Sequence, residues 1–229
     1  MTVTRFNPSA TGPLHLGHAY MALVNESYAR ERGGTFIVRF DDSHPLFIKT
    51  HGQDKIDRMV GEQQNDLEWL GIKPDSYIRQ KDIVAEIEEQ MEHCQLQVLK
   101  EQIFPWVVGD TFFQSYPFVS VFTIERVIMD NQEHITHLIR GIDLLSEFNL
   151  YQYCCKCLDL PLPKHIYLPR LKWQHGNMSK SHGARFIGEM KSAGYAPEEV
   201  RGILESSCLH HPAFGWSIEN IKSEPQVVL

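Results

Sequence analysis

The sequence predicts an α/β protein, a parallel sheet flanked by helices, on three observations. β-branched and aromatic residues fill two short runs, Val3 to Asn7 and Thr35 to Phe40. Between them, Ala19 to Arg32 places Tyr20, Leu23, Val24 and Tyr28 at helical spacing before Gly33-Gly34 stops it. A turn-rich link, Pro8-Ser9-Ala10-Thr11-Gly12-Pro13, joins the first run to that helix, and strand, glycine-containing loop, helix, strand is the βαβ unit of a parallel nucleotide-binding sheet.

Further along, Ile56, Met59, Val60, Leu67 and Leu70 share one helical face between Gly52 and Leu70, with Gly71 as the stop. Lys81 to Gln102 reads as a charged amphipathic helix, and residues 103–121, with Pro105, Gly109 and Pro117, as short strands and turns. Two apolar strand candidates follow, Phe118 to Met129 and Thr136 to Ile139. A helix from Leu144 to Leu158, a strand from His165 to Leu171, a polar loop through Ser181, and helices at Ala184 to Ala193 and Pro197 to Ser206 complete the chain. The residues after Trp216 read as a frayed end.

The 229 residues are 42% hydrophobic and 22% charged, the balance of an ordinary soluble domain, and no internal repeat or low-complexity segment appears. One compact domain, with at most a small insertion, can bury its core at this length. A net charge of −7 argues against a large phosphate-tracking surface, while leaving room for a small basic cleft. No apolar run nears a membrane span and no signal-peptide pattern opens the chain, so a cytoplasmic protein is expected. Cysteines 94, 154, 155, 157 and 208 form no disulfide framework, and Cys155-x-Cys157 on a helix without a second Cys/His pair reads as packing, so no metal site is expected.

Two motifs carry chemistry. His15-Leu16-Gly17-His18 lies where the first strand meets the first helix, and a helix N-terminus with unpaired N–H groups favours phosphate there. Two histidines three apart can both face a triphosphate, although they could also merely cap the helix. The second motif, Asn177-Met178-Ser179-Lys180-Ser181, sets a lysine between hydroxyls on a loop, which suits charge developing on a displaced phosphoryl group. In this order, separated by a second half-sheet, the pair signals ATP-dependent adenylate formation.

The start, TRFNPSATGPLHLGHAYMALVNESYARERGGTFIVRFDDS, resembles the first segment of bacterial glutamyl-tRNA synthetases, class I enzymes with HIGH-type and KMSKS-type motifs. The resemblance resumes with HITHLIRGIDLL and runs through HIYLPRLKWQHGNMSKSHGARF. It implies a Rossmann-like (HUP-type) fold in one synthetase-like catalytic domain. That domain would hold a first half at 1–78, a reduced insertion at 79–117, a second half at 118–181 and a short helical segment at 182–229. It also implies roles: His15, His18 and Lys180 as catalytic groups on the phosphates, Gly17 under the adenine, Asp143 near the ribose, and Met178, Ser179 and Ser181 closing over ATP. Arg5 would pair with the substrate's side-chain carboxylate, Ser9 would hydrogen-bond the amino acid, and Arg140 would bind it as well. Arginine gives a planar fork for a carboxylate; the plain alternative is surface arginines paired with neighbouring Asp or Glu.

The chain departs from that family in four places. Arg39-Phe40-Asp41-Asp42-Ser43-His44 replaces the usual Arg-Ile-Glu-Asp-Thr-Asp, so Asp41, one methylene shorter, stands where a glutamate would hold the substrate ammonium. Phe122 and Arg126 fall where the family has a tyrosine and an asparagine near the amino-acid pocket. The middle segment that grips the tRNA acceptor end is reduced, Cys94 stands alone where a zinc site is usual in glutamyl-queuosine synthetases, and about 48 residues follow Ser181, too few for an anticodon-reading domain of the usual ~100 residues.

These features together lead to the expectation of an AMP-forming ligase that uses ATP and Mg²⁺ to activate glutamate or a similar carboxylate-bearing amino acid. The acceptor expected is a small amine or a carrier protein rather than tRNA. Three other readings stay open: a minimal glutamyl-tRNA ligase or glutamyl-queuosine-type tRNA-modifying enzyme, a nucleotidyltransferase of the HxGH type, and a non-catalytic amino-acid or nucleotide sensor.

Overall fold

The computed structural model describes residues 1–87, 89–91, 116–168, 172–173, 176–177 and 186–209. Its centre is a five-stranded sheet in the order β3-β2-β1-β4-β5, built from β1 (Val3–Phe6), β2 (Thr35–Phe40), β3 (Ser76–Arg79), β4 (His137–Gly141) and β5 (Lys164–Leu168). All neighbours run parallel, with Thr4 opposite Phe36 on one side and His137 on the other. The order reverses between β1 and β4, and ligands of open parallel sheets bind at the carboxyl edge beside such a switch point.

Helix α1 (Leu16–Arg30) crosses from β1 to β2, and α2 (Pro45–His51) and α3 (Gln53–Trp69) lead to β3. After β3 come α4 (Gln80–Ile83) and a 3-10 turn, Val84–Ile87. Helix α5 (Tyr116–Gln132) precedes β4, a 3-10 segment (Ile142–Glu147) runs into α6 (Phe148–Cys157), and α6 leads to β5. A two-stranded ribbon pairs β6 (Lys172–Trp173) with β7 (Gly176–Asn177), and α7 (Ile187–Ser192) and α8 (Pro197–Leu209) close the described chain.

Alternation along the strands divides the core in two. Phe6, Phe36, Val38, Phe40 and Ile139 pack toward α1, α3, α7 and α8, with Leu23, Tyr28, Leu67, Met190 and Leu204. Val3, Ile37 and Leu138 pack toward α5 and α6, with Ile124, Ile128, Tyr151 and Cys154. The second face also carries Arg5, Arg39 and Arg140, on β1, β2 and β4, and they shape the site.

The structure changes the sequence reading at five elements. Phe118 to Met129 is helical, part of α5, because its opposite faces are taken up: Ile124, Val127 and Ile128 pack in the core under the sheet, Glu125 accepts from Gln80, and the following Asp130 meets the charges of Arg5 and Arg39. The β-branched residues that suggested a strand suit a helix once tertiary packing supplies the partners. The expected helix from Lys81 begins instead as α4 followed by a 3-10 turn. The strand β3 and the short helix α2 went unread, and α1 starts at Leu16 rather than Ala19, which brings the HLGH residues into its first turn. The expectations for residues 103–115, for Cys94 and for the end after Trp216 lie outside the described residues.

Candidate functional site

At the end of β1 the chain turns so that His15 becomes the N-cap of α1. His15 Nδ1 accepts the backbone N–H of His18 at 3.3 Å, and His18 Nδ1 accepts that of His15 at 3.4 Å. The reciprocal cap answers two of the donors that a helix start leaves open, a role usually held by Ser and Glu. Both rings use Nδ1 as acceptor, so in their neutral forms the proton sits on Nε2. The rings stack 3.7 Å apart, tilted by 17°. Gly17 makes this possible, because a Cβ there would lie 2.9 Å from Cε1 of His15. Capping does not by itself exclude phosphate binding, because the cap uses only the Nδ1 atom of each ring.

Phe186 forms an isolated antiparallel bridge with His15, and Ile187 N–H donates to Leu14 O at 2.9 Å. The first described residue after the Asn177-Met178-Ser179-Lys180-Ser181 motif is thus fastened to the first motif. Met178, Ser179, Lys180 and Ser181 themselves lie outside the described residues.

On the sheet face beneath α5 and α6 stand Arg5, Arg39 and Arg140, all buried. Asp130 of α5 meets the first two. Its Oδ1 accepts Arg5 Nε at 2.5 Å and Arg39 Nη2 at 2.8 Å, and its Oδ2 accepts Arg5 Nη2 at 2.9 Å and the Tyr151 hydroxyl at 2.9 Å. Glu133 takes Arg39 Nη1 at 2.9 Å. Burial alone would raise the Asp130 carboxyl, but the two guanidiniums overcome it and hold the group well below the usual carboxylate range. The arginines expected to bind substrate are paired with carboxylates, as the plain alternative had it, yet in the interior rather than on the surface. Arg5 has given its Nε–Nη2 edge to Asp130, and its Nη1 makes no hydrogen bond among the described residues.

Arg140 sits on the neighbouring strand, nearer the carboxyl edge. Its Nη2 lies 3.4 Å from His165 Nδ1 and 3.3 Å from the Tyr167 hydroxyl, and its Nη1 is 3.6 Å from Glu147 Oε2. Tyr151 and Tyr167 present their rings to it at 5.7 and 5.5 Å. Burial, with Arg140 beside it, pushes the His165 imidazole down to about 3, so it is neutral and can accept from the guanidinium.

The opposite wall comes from the loop after β2. Ser9 and Asp41 form an isolated parallel bridge, with Ala10 N–H on Asp41 O and Asp41 N–H on Pro8 O, both at 2.9 Å. Ser9 Oγ lies 3.2 Å from Thr11 Oγ1. Asp41 Oδ1 is buried with no hydrogen-bond partner among the described residues, and burial raises this carboxyl while Arg126 and His44 draw it down. Glu125, also buried, accepts Ser43 Oγ at 3.0 Å and Gln80 Nε2 at 2.8 Å, and it too is raised by burial. Asp42 is occupied structurally by Arg79 Nε and the N–H of Lys81. Arg126 and Phe122, expected on a strand, stand one turn apart on α5, where Arg126 Nε donates to Phe122 O and Nη1 to Glu147, both at 3.0 Å. The Phe122 ring stacks on His44 at 4.4 Å. Asp143 lies exposed in the 3-10 segment, its Oδ1 where a Cβ on Gly141 would be only 2.3 Å away.

The structure thus gathers Arg5, Arg140, Ser9, Asp41, Phe122 and Arg126 along one edge of the sheet, with His15 and His18 at the start of α1. Sequence reasoning missed Asp130, Tyr151, Glu125, Glu147 and His165. Strand alternation puts Arg5, Arg39 and Arg140 on one face, and Asp130 and Glu133 at helical spacing were the available clue to what neutralises them.

A parallel sheet whose strand order reverses beside its first strand–helix junction defines an α/β domain of the Rossmann type. The chain belongs to the family described as tRNA synthetases class I (E and Q), catalytic domain, matched over residues 1–101 and 104–222. It is 26% identical over 265 aligned positions to a glutamate–tRNA ligase of Caulobacter vibrioides, covering 88% of this chain and 55% of that one. It is 45% identical over 86 residues to glutamate–tRNA ligase 2 of Xanthobacter autotrophicus, covering 38% of this chain and 17% of the other. A crystal structure of a glutamate tRNA ligase from Elizabethkingia meningosepticum in complex with its amino acid superposes with a TM-score of 0.62 at 18% identity, covering 89% of this chain and 60% of that one. The chain spans about half the length of the full-coverage relatives it matches. No helix among the described residues is long and apolar enough to cross a membrane.

Proposed function

We propose that this chain activates an amino acid with a carboxylate side chain, glutamate or a close analogue, as its aminoacyl-adenylate. An oxygen of the α-carboxylate attacks the α-phosphorus of MgATP, the bond to the bridging oxygen breaks, and pyrophosphate leaves. Positioning and electrostatics supply the catalysis: His15 and His18 at the helix start and Lys180 of the second motif face the phosphates, where charge develops. Gly17 gives room for the adenine, Asp143 faces the ribose, and Met178, Ser179 and Ser181 close over the nucleotide. Ser9, Asp41, Arg5 and Arg140 receive the amino acid, with Phe122 and Arg126 shaping the far wall. The observation that carries this reading is the bridge from Phe186 to His15, which anchors the segment following the second motif at the first.

The acceptor we favour is a small amine or a carrier protein, reached from a single catalytic domain with a reduced insertion at 79–117. The support is internal. The alignment with the Caulobacter enzyme, at 265 positions, is longer than the whole 229-residue chain, so the relative carries internal residues that this chain lacks. A second reading, tRNA as acceptor, is favoured by the relatives, which are named glutamate–tRNA ligases.

Amino-acid-dependent ATP–pyrophosphate exchange, run across acidic and amide amino acids with and without bulk tRNA, tests both. Exchange with one amino acid in the absence of tRNA is the expected result, and exchange only with tRNA moves the acceptor to tRNA. Lys180→Ala is expected to lower exchange by at least ~10²-fold, the scale of removing one transition-state donor. Unchanged exchange removes Lys180 from the mechanism.

A further inference from the structure

We infer that Asp130 and Tyr151 are positioning residues for the amino-acid pocket: they fix Arg5 so that a single arm, Nη1, is left for the substrate, and they tie Arg5 to Arg140. The inference rests on the amino-acid-activating reading and adds two residues that contact no substrate.

Saturation at Asp130 carries the first half. The carboxylate is inaccessible to solvent and receives four donors, two from Arg5, one from Arg39 and one from the Tyr151 hydroxyl. A side-on pair through Nε and Nη2 fixes the guanidinium plane and the direction of the remaining nitrogen, which a contact through one nitrogen would not. The charges in the layer come close to balance, with Arg5 and Arg39 against Asp130 and Glu133. The network needs no further ion for itself. The Nη1 arm is the part of Arg5 that it leaves over.

Tyr151 carries the second half. Its hydroxyl is on Asp130, its ring faces the Arg140 guanidinium at 5.7 Å, and the His165 ring meets it edge-on at 4.9 Å. His165 in turn lies against Arg140 Nη2. One buried side chain on α6 therefore touches the holders of both arginines, which stand on adjacent strands and face the same helices. Among the described residues Arg140 has only a loose ion pair, 3.6 Å to Glu147, and that carboxylate also serves Arg126. Glu147 is divided between two guanidiniums, so Arg140 lacks a close carboxylate partner of its own among the described residues. A substrate side-chain carboxylate supplies one, received by one arm from each arginine rather than by a single fork.

Steady-state exchange kinetics on Tyr151→Phe and Asp130→Asn, with amino acid and ATP varied separately, test this. Tyr151→Phe keeps the ring and removes only the hydroxyl. It is expected to raise the amino-acid KM about 3- to 10-fold, the scale of one ordinary hydrogen bond, with kcat and the ATP KM unmoved. Asp130→Asn is expected to raise that KM more, and to narrow the preference for the substrate over its one-methylene-shorter homologue. Should Asp130→Asn fail to fold, Tyr151→Phe decides. Wild-type exchange with an amino-acid KM unmoved in Tyr151→Phe, or with both KM values raised alike, overturns the positioning role and leaves the proposed function standing. A wild type that exchanges with no amino acid in either condition overturns both.

Discussion

At the residue scale, the buried groups make stability depend on pH in a defined direction. His165 has its native pKa lowered to about 3 from an ordinary value of 6.5. The unfolded chain therefore binds a proton at this residue between about pH 6.5 and 3 while the native protein does not, and stability falls as pH drops through that window. The contribution has an upper limit of about 1.4 kcal/mol per pH unit. Asp130 has its pKa depressed, so its contribution is present above the ordinary carboxylate value and is lost only as pH falls through the lower native one. Urea unfolding at pH 7 and pH 5 is expected to separate the two: His165→Gln should flatten the loss over that interval, whereas the Asp130 network stays intact across it. An unchanged slope in His165→Gln would place the titrating group elsewhere.

At the element scale, α5 joins the two halves of the site. It offers apolar residues to the sheet, Asp130 and Glu133 to the buried arginines, Glu125 to Ser43 in the loop after β2, and Arg126 to Glu147 at the end of the 3-10 segment. A strand cannot meet four environments from one short run, since its side chains point only two ways. The last helices dock differently, through few polar contacts around an apolar patch. Arg201 of α8 donates to Leu70 O at the end of α3, at 3.0 Å, and Lys191 of α7 pairs with Asp66 at 3.2 Å. Because Ile187, Met190, Val200 and Leu204 bury the main surface, these contacts add to the docking without supplying it. Arg201→Met is expected to cost about 1 kcal/mol, read as a shift of the urea midpoint with an unchanged slope. A loss of several kcal/mol would show that the cap, not the apolar patch, holds α8.

At the scale of the whole molecule, a charge of −7 bears on the acceptor. Arg5, Arg39 and Arg140 are buried, and the first two are already paired with carboxylates, so they add nothing to a surface that tracks phosphates. Bulk tRNA is therefore expected to bind weakly, with a shallow dependence of affinity on salt that corresponds to two or fewer phosphate contacts, on the order of a slope of −2. Filter binding between 50 and 200 mM salt measures this. A slope steeper than about −5 would reveal a phosphate-binding surface and favour tRNA as acceptor.

The sequence by itself determined the parallel α/β class, the HLGH junction and the order of its two motifs, because these rest on neighbours in the chain: a strand, a turn, a helix start. It also singled out Arg5, Arg140, Asp41 and Arg126, through residue type and resemblance. It misjudged α5, and with it Asp130, since a β-branched segment shows its helical nature only against the surfaces it packs on. Tertiary structure alone decided that the Arg5 fork is already taken and that Tyr151 stands between two arginines. Both depend on atoms from residues up to 146 positions apart being brought within a few ångströms, from Arg5 to Tyr151 through Asp130, and no local pattern encodes that meeting.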